Sequence, residues 1–253
     1  MEIFVISLKR SLDRRIIFDN YNSKYIHNYS YYDAVDGQNI NIDELSENIY
    51  TKNSINYSKG AIGCALSHLA LWEKCIELNK PIIIMEDDAI VSHNFMEHIN
   101  HVINNLLPAN FDENVDSSKK GWDILQLSYN FDTVLSYNNT VYEQCHCIFG
   151  KKKMTKMDID NFIHSNINTT IARLNNSFGT SAYMISPNGA KLLKNKCFPL
   201  NNTIINVPFI NNINCYTIDC MMNSVYKDIS AYVCILPFVI TPHISDDYKS
   251  TIE

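Results

Sequence analysis

Residues 3–8, Ile3-Phe4-Val5-Ile6-Ser7-Leu8, alternate and then turn polar, as a short buried strand does. Ser11 is placed to cap a helix through Asp13-Arg14-Arg15-Ile16-Ile17. Asn28–Ala34 is rich in tyrosine and reads as a second strand, closed by the turn signal Val35-Asp36-Gly37. Residues 40–58 are polar and irregular. The most regular pattern spans Lys59–Asn79, with Ser58 as its N-cap. Ala65, Leu69, Trp72 and Ile76 recur along one face of a 3.6-residue period, and Pro81 stands just past the end. Ile82-Ile83-Ile84-Met85 follows, apolar at every position. That marks a strand covered on both faces. Three carboxylates, Glu86-Asp87-Asp88, come directly after it.

The second half is less regular. Asn94–Leu107 presents Phe95, Ile99, Val102 and Leu106 on one side, and Trp122–Ser128 reads as another buried strand. Tyr129–Ser177 is polar and weakly patterned, with Lys151-Lys152-Lys153 inside it. An insertion of this kind in a compact domain is expected to serve as a binding loop or lid. Ser181–Ile185 is a strand, and Ser186-Pro187 opens a helix with Ser as N-cap and Pro at the first position. Residues 201–214 read as loop, Asp219–Tyr226 as helix and Ala231–Leu236 as a last strand. The strand–helix alternation predicts a single α/β domain over residues 1–253 with a mixed, mostly parallel central sheet. Residues 129–177 are expected to be its acceptor-side insertion.

Composition narrows the function classes. The apolar fraction of 46% supports a sizeable core, and 19% charged residues with a net charge of -6 exclude a disordered tail protein. The same charge argues against a general nucleic-acid binder, which needs a basic field. No apolar run reaches a membrane span. Met1-Glu2-Ile3-Phe4 lacks a basic leader region, so the expected location is the cytosol, with peripheral contact to a membrane's inner face left open. In that compartment the eight cysteines read as thiols, mostly core fillers. Cys145-His146-Cys147 has the look of a metal motif but no second ligand pair near it.

The acidic triplet is the most informative feature. Three adjacent carboxylates repel one another, and a hard divalent cation, Mg²⁺ or Mn²⁺, with a substrate phosphate is the compensation that fits best. The strand's carboxyl end is where open α/β sheets bind ligands. A solvated acidic turn is the plain alternative.

Several ordered blocks resemble glycosyltransferase family 25, the lipooligosaccharide and procollagen galactosyltransferase family. They are Val5-Ile6-Ser7-Leu8-Lys9-Arg10-Ser11-Leu12-Asp13-Arg14-Arg15, Tyr32-Asp33-Ala34-Val35-Asp36-Gly37, Gly60-Ala61-Ile62-Gly63-Cys64-Ala65-Leu66-Ser67-His68 with Trp72, and Ile84-Met85-Glu86-Asp87-Asp88-Ala89. Trp122-Asp123, Gly179–Ser186 and Ser250-Thr251-Ile252 continue the order. Ala61 stands where the family often has Glu, Ser7 where Asn is usual, and Thr217-Ile218-Asp219 lacks the family's preceding Pro.

The resemblance implies a GT-A-like fold and a UDP-hexose donor, usually UDP-galactose. It also implies inverting transfer to a surface glycan or glycoprotein, as in lipopolysaccharide biosynthesis. Asp88 is then the direct metal ligand, with Glu86 or Asp87 holding the ribose or metal-bound water. By fold analogy His243 is a second ligand. Ser7, Leu8, Arg10, Arg14, Asp36, Ser67 and His68 fall on the donor side. The arginines suit phosphate or uracil carbonyl groups, and Asp36 suits ribose hydroxyls or the uracil N–H. Asp219 is the favoured general base and Asp123 the alternative. Tyr183 and Trp72 are expected in the core. A non-catalytic nucleotide-sugar-binding member and a Mg²⁺-dependent phosphohydrolase are the competing readings.

Overall fold

The structure, a computed structural model, describes residues 1–51, 57–106, 121–139, 143–150 and 154–242. Strands and helices are numbered in chain order. The first half contains β1 (Glu2–Ser7), α1 (Leu12–Asn22), β2 (Tyr29–Asp33), α2 (Lys59–Leu78), β3 (Ile82–Glu86), β4 (Ile90–Val91), α3 (Phe95–His101) and β5 (Ile124–Gln126). The second half contains β6 (Val134–Asn138), β7 (Gln144–Ile148), α4 (Lys156–His164), β8 (Thr170–Asn176), β9 (Ala182–Ile185) and α5 (Pro187–Cys197). It continues with β10 (Ile204–Val207), β11 (Asn211–Asn214), α6 (Ile218–Asn223), β12 (Ala231–Ile235) and β13 (Val239–Ile240).

Nine strands form one mixed sheet in the order β2-β1-β3-β9-β5-β12-β8-β6-β7. Its central run explains the apolar sequence of β3. Ile82 and Ile84 point into the cluster under α2 and α5, while Ile83 and Met85 point into the cluster with Phe18 of α1 and Phe95 of α3. Each fully buried aliphatic side chain contributes roughly 1.5–3 kcal/mol relative to exposure, so a strand with two dry faces must be apolar throughout. β9 divides its residues the same way, Tyr183 and Ile185 to one face and Ala182 and Met184 to the other.

The expected strand directions need correction. Parallel pairs are confined to β1–β2, β1–β3 and β5–β12. The other five pairs are antiparallel: β3–β9, β5–β9, β8–β12, β6–β8 and β6–β7. The sheet is therefore mostly antiparallel. The cause is β9, which enters reversed between β3 and β5, and the β6–β7 hairpin, whose β6 pairs antiparallel with β8 on its other side. A strand covered on both faces is apolar whichever way it runs, so the run of residues could not reveal this.

The stretch 129–177 supplies β6, β7, α4 and β8 to the fold, and residues 201–214 form the β10–β11 hairpin. Helix α2 is capped as expected, Ser58 Oγ accepting from Ala61 N at 3.0 Å. Its first turns press against the loop after β2: a Cβ on Gly63 would come within 2.5 Å of the Val35 carbonyl oxygen. Ser67, one turn on, accepts from Val35 N at 2.9 Å and donates to Gly63 O at 2.7 Å. This fixes α2 beside β1 and β3 and forms one wall of a cleft. Past His101 the expected third helix continues as a wider π-type turn over Val102–Leu106. Among the described residues no helix is long and apolar enough to cross a membrane, and all eight cysteines are free thiols.

Candidate active site

The carboxyl ends of β1, β2 and β3 open into a cleft of about 270 Å³. Ser7, Leu8, Arg10, Arg14, Asp36, Cys64, Ser67, Glu86 and Asp87 line it, so most of the expected donor-side residues share one cavity. Arg10 Nε donates to Asp36 Oδ2 at 2.6 Å on the open rim, and Asp36 also accepts from Gln38 N at 3.0 Å. The Arg10 guanidinium and the Gln38 amide hold the Asp36 carboxyl below its ordinary range. Ser7 is buried, with Arg15 donating to its Oγ at 3.2 Å and to its carbonyl at 3.1 Å.

The acidic triplet is held from three sides. Arg14 Nε donates to Asp87 Oδ1 at 2.7 Å, and its terminal nitrogen lies 3.5 Å from Asp88 Oδ2. Thr180 Oγ1 donates to Glu86 Oε1 at 2.5 Å. From below, Asn22 of α1 pins the turn that follows: Nδ2 donates to Ala89 O at 2.8 Å and Oδ1 accepts from Val91 N at 2.9 Å.

The carboxylates differ in electrostatics. Burial works against ionised Glu86, but His68, Thr180 and Arg14 together hold its carboxyl below the ordinary value. Burial, then the charges of Glu86 and Asp87, push Asp88 up to about 7, with Arg14 opposing. Asp88 Oδ1 is buried and has no hydrogen-bond partner. An orphaned carboxylate oxygen beside two more carboxylates is a place where a hard cation replaces a missing positive charge, so Asp88 fits the expected Mn²⁺ or Mg²⁺. His243 and the Ser250–Ile252 block lie outside the described residues.

His68, fully buried on α2, faces the same end of β3. Its Nδ1 lies 2.8 Å from Tyr183 Oη, which also accepts from Trp72 Nε1 at 2.8 Å. Tyr183 and Trp72 are both fully buried, as expected. His68 Nε2 lies 3.4 Å from Glu86 Oε1.

The two expected bases fall in different places. Asp219 opens α6, where Oδ2 accepts from Gly179 N at 3.0 Å and Oδ1 accepts from Cys220 N at 2.8 Å and from the Thr217 hydroxyl. Gly179 has a φ of 88°, which an L side chain rarely adopts, and this turn aims its N–H at Asp219. The next residue, Thr180, holds Glu86, so Asp219 and the triplet are anchored to one short segment. Asp219 also acts on the Cys64 thiol, which burial, then Glu86, Asp219 and Asp88, push well above its ordinary value. Asp123 sits before β5, at the other end of the sheet. Its Oδ1 accepts from Asn188 Nδ2 at 2.7 Å and its Oδ2 from Ser230 N at 2.7 Å. The structure does not bring it to the cleft.

Thr180, Asn22 and Cys64 were not singled out from the sequence. Thr180 lies inside the Gly179–Ser186 block, and Cys64 lies one turn before His68; Asn22 carries no signal of its own.

The model of Glycosyltransferase family 25 (LPS biosynthesis protein) matches residues 1–219. The chain belongs to this family. A procollagen galactosyltransferase 2 from Mus musculus is 26% identical over 206 residues, covering 76% of this chain and 27% of that protein. A glycosyltransferase 25 family member from Aedes aegypti is 26% identical over 204 residues, with the same coverage of 76% and 27%. An inactive glycosyltransferase 25 family member 3 from Homo sapiens is 28% identical over 140 residues, 50% of this chain and 21% of its own. The chain thus spans about a quarter of the length of these relatives. The crystal structure of A197 from STIV aligns over 94% of this chain and 82% of that one, at 11% identity and a TM-score of 0.39. That likeness is too slight to carry an argument.

Proposed function

We propose that this family 25 member is a metal-dependent hexosyltransferase. It transfers a hexose, with galactose from UDP-galactose as the first candidate, to a glycan or glycoprotein hydroxyl with inversion. The observation that carries this reading is Asp88, whose buried Oδ1 has no hydrogen-bond partner, at the edge of a cleft rimmed by Arg10, Arg14 and Asp36.

The nucleotide lies in the cleft. Asp36 accepts from ribose or uracil donors, and Arg10 trades part of its bond to Asp36 for a phosphate or a uracil carbonyl. Arg14 holds Asp87 and Asp88 in place and opposes the rise of the Asp88 carboxyl. Glu86, fixed by Thr180, faces the ribose or sugar hydroxyls. A divalent cation held by Asp88, with Asp87 beside it, neutralises charge on the diphosphate when bound. The acceptor oxygen attacks the anomeric carbon from the face opposite UDP. The glycosidic C–O bond breaks with its electron pair going to UDP, and the acceptor proton passes to Asp219. Gly179 N, Cys220 N and the Thr217 hydroxyl hold Asp219 in place. The elements within 129–177 supply acceptor contacts.

The test is a panel of UDP-hexoses with Mn²⁺, read as UDP release with and without candidate acceptors. Acceptor-stimulated UDP release supports the reading. Donor binding without release supports a non-catalytic member, as the human relative's name describes that protein. Free phosphate in place of UDP supports a phosphohydrolase.

A further inference from the structure

We propose that Cys64, His68 and Glu86 form a second cation site in the floor of the cleft, selective for a thiophilic divalent ion such as Zn²⁺ and distinct from Asp88. Cys64 and His68 stand four residues apart on α2, so their side chains share one face. Glu86 meets them from the end of β3. One donor atom from each of the three lies within 4.8 Å of the other two.

His68 supplies the second observation. The side chain is fully buried, and its Nε2 makes no well-formed hydrogen bond; its polar neighbour Glu86 Oε1 lies at 3.4 Å. That long contact satisfies the buried nitrogen poorly, and it stands in a cluster with a thiol and a carboxylate. Its other nitrogen is already committed to Tyr183 Oη at 2.8 Å. In a metal-bound imidazole Nδ1 carries the proton and donates it to an outer-shell acceptor. Tyr183 Oη has two lone pairs; one accepts from Trp72 Nε1, and the other is free to accept the Nδ1 proton in the metal-bound state. Thr180 Oγ1 holds the third ligand by donating to Glu86 Oε1.

The donor set decides the metal class. Thiolate, imidazole and carboxylate together suit Zn²⁺, whereas Mg²⁺ and Mn²⁺ favour oxygen alone, as at Asp88. Three protein ligands leave a fourth position for water. Cys64 and Glu86 both line the cleft, which gives the ion its entry path. Binding forms the metal–sulfur bond and releases the Cys64 proton to solvent. Zn²⁺ at this site would take Glu86 from the donor and antagonise UDP-hexose binding. That consequence rests on the transferase reading; the site itself does not.

Co²⁺ is the probe. The full chain, reduced and stripped of metal, is titrated with Co²⁺ and followed by absorption. Expected in wild type are a sulfur-to-cobalt charge-transfer band and the intense d–d bands of a four-coordinate ion, both displaced by Zn²⁺. Cys64→Ser should lose the charge-transfer band, and His68→Gln should weaken Co²⁺ binding at least about tenfold. Asp88→Asn should keep the band. As a measurement free of variants, Zn²⁺ should protect Cys64 of the native chain from alkylation, read by mass spectrometry. The proposal is overturned if wild type shows no thiolate band, or if Zn²⁺ leaves Cys64 alkylation unchanged. It is also overturned if the band survives Cys64→Ser and disappears on changing Cys145 and Cys147. No donor or acceptor enters these measurements, so failure of the transferase reading and failure of this site are separately visible.

Discussion

Asn22 is the fully buried link between α1 and the turn that follows the acidic triplet, and replacing it tests whether that turn is held as described. Asn22→Leu keeps the number and branching of the side-chain heavy atoms and leaves no room for a substituting water. It removes the donor to Ala89 O and the acceptor for Val91 N, bonds of 2.8 and 2.9 Å. Both backbone groups then remain buried and unpaired. Each such loss costs about 1–3 kcal/mol, so the pair gives roughly 2–6 kcal/mol. For a chain of this size one kcal/mol moves the melting temperature by about 2–4 °C. Taking about 4 kcal/mol as the central value, thermal unfolding followed by far-ultraviolet circular dichroism should show a drop of about 8–16 °C. The same variant should bind UDP and Mn²⁺ more weakly, because Asp87 and Asp88 lie within the loosened turn. A fall of less than about 2 °C would refute the assignment of these two bonds as the turn's anchor.

Asp219→Asn should lower kcat by about 10²–10⁴-fold with little change in UDP-hexose affinity. Loss of donor affinity instead would move Asp219 into the donor or metal shell. Asp123→Asn should leave UDP affinity unchanged while lowering the melting temperature, because an amide in place of the carboxylate cannot serve both Asn188 and Ser230 N as Asp123 does. The Asp88 carboxyl, raised to about 7 from an unfolded value near 3.9, favours the protonated native state. Its contribution to stability in chelator is therefore complete below about pH 4 and is lost as pH rises through about 7. Asp88→Asn should flatten that slope in thermal melts. Mn²⁺ needs the ionised carboxylate, so its stabilising effect should grow between about pH 6 and about pH 8 and should be unchanged by pH if Asp88 is not a ligand.

What could be read from the sequence follows from how each segment buries its surface. β3 was legible because both faces are dry, and α2 because its buried residues recur at the helical period, with Ser58 and Pro81 marking its limits. The acidic triplet was legible because three contiguous carboxylates at a strand end have few physical explanations. β6, β7 and β8 were not legible. Their sequences mix Asn, Ser, Gln and His with apolar residues, and their burial varies from residue to residue. β11 is Asn-Asn-Ile-Asn, a strand fixed by its pairing with β10 rather than by any apolar alternation. Asp123 stood as an alternative to Asp219 because the sequence does not show which end of the sheet each occupies. Thr180–Glu86 and Asn22–Val91 join residues 94 and 69 positions apart, and no local pattern announces such contacts.

The central claim is that the end of β3 holds a metal–nucleotide complex through Asp88. Calorimetric titration of UDP into wild type and Asp88→Asn, each with Mn²⁺ and with chelator, tests it most directly. The account predicts tight binding only for wild type with Mn²⁺, and weak binding in the other three conditions. Equal affinity in all four, with Asp88→Asn shown to be folded by its melting curve, would contradict it.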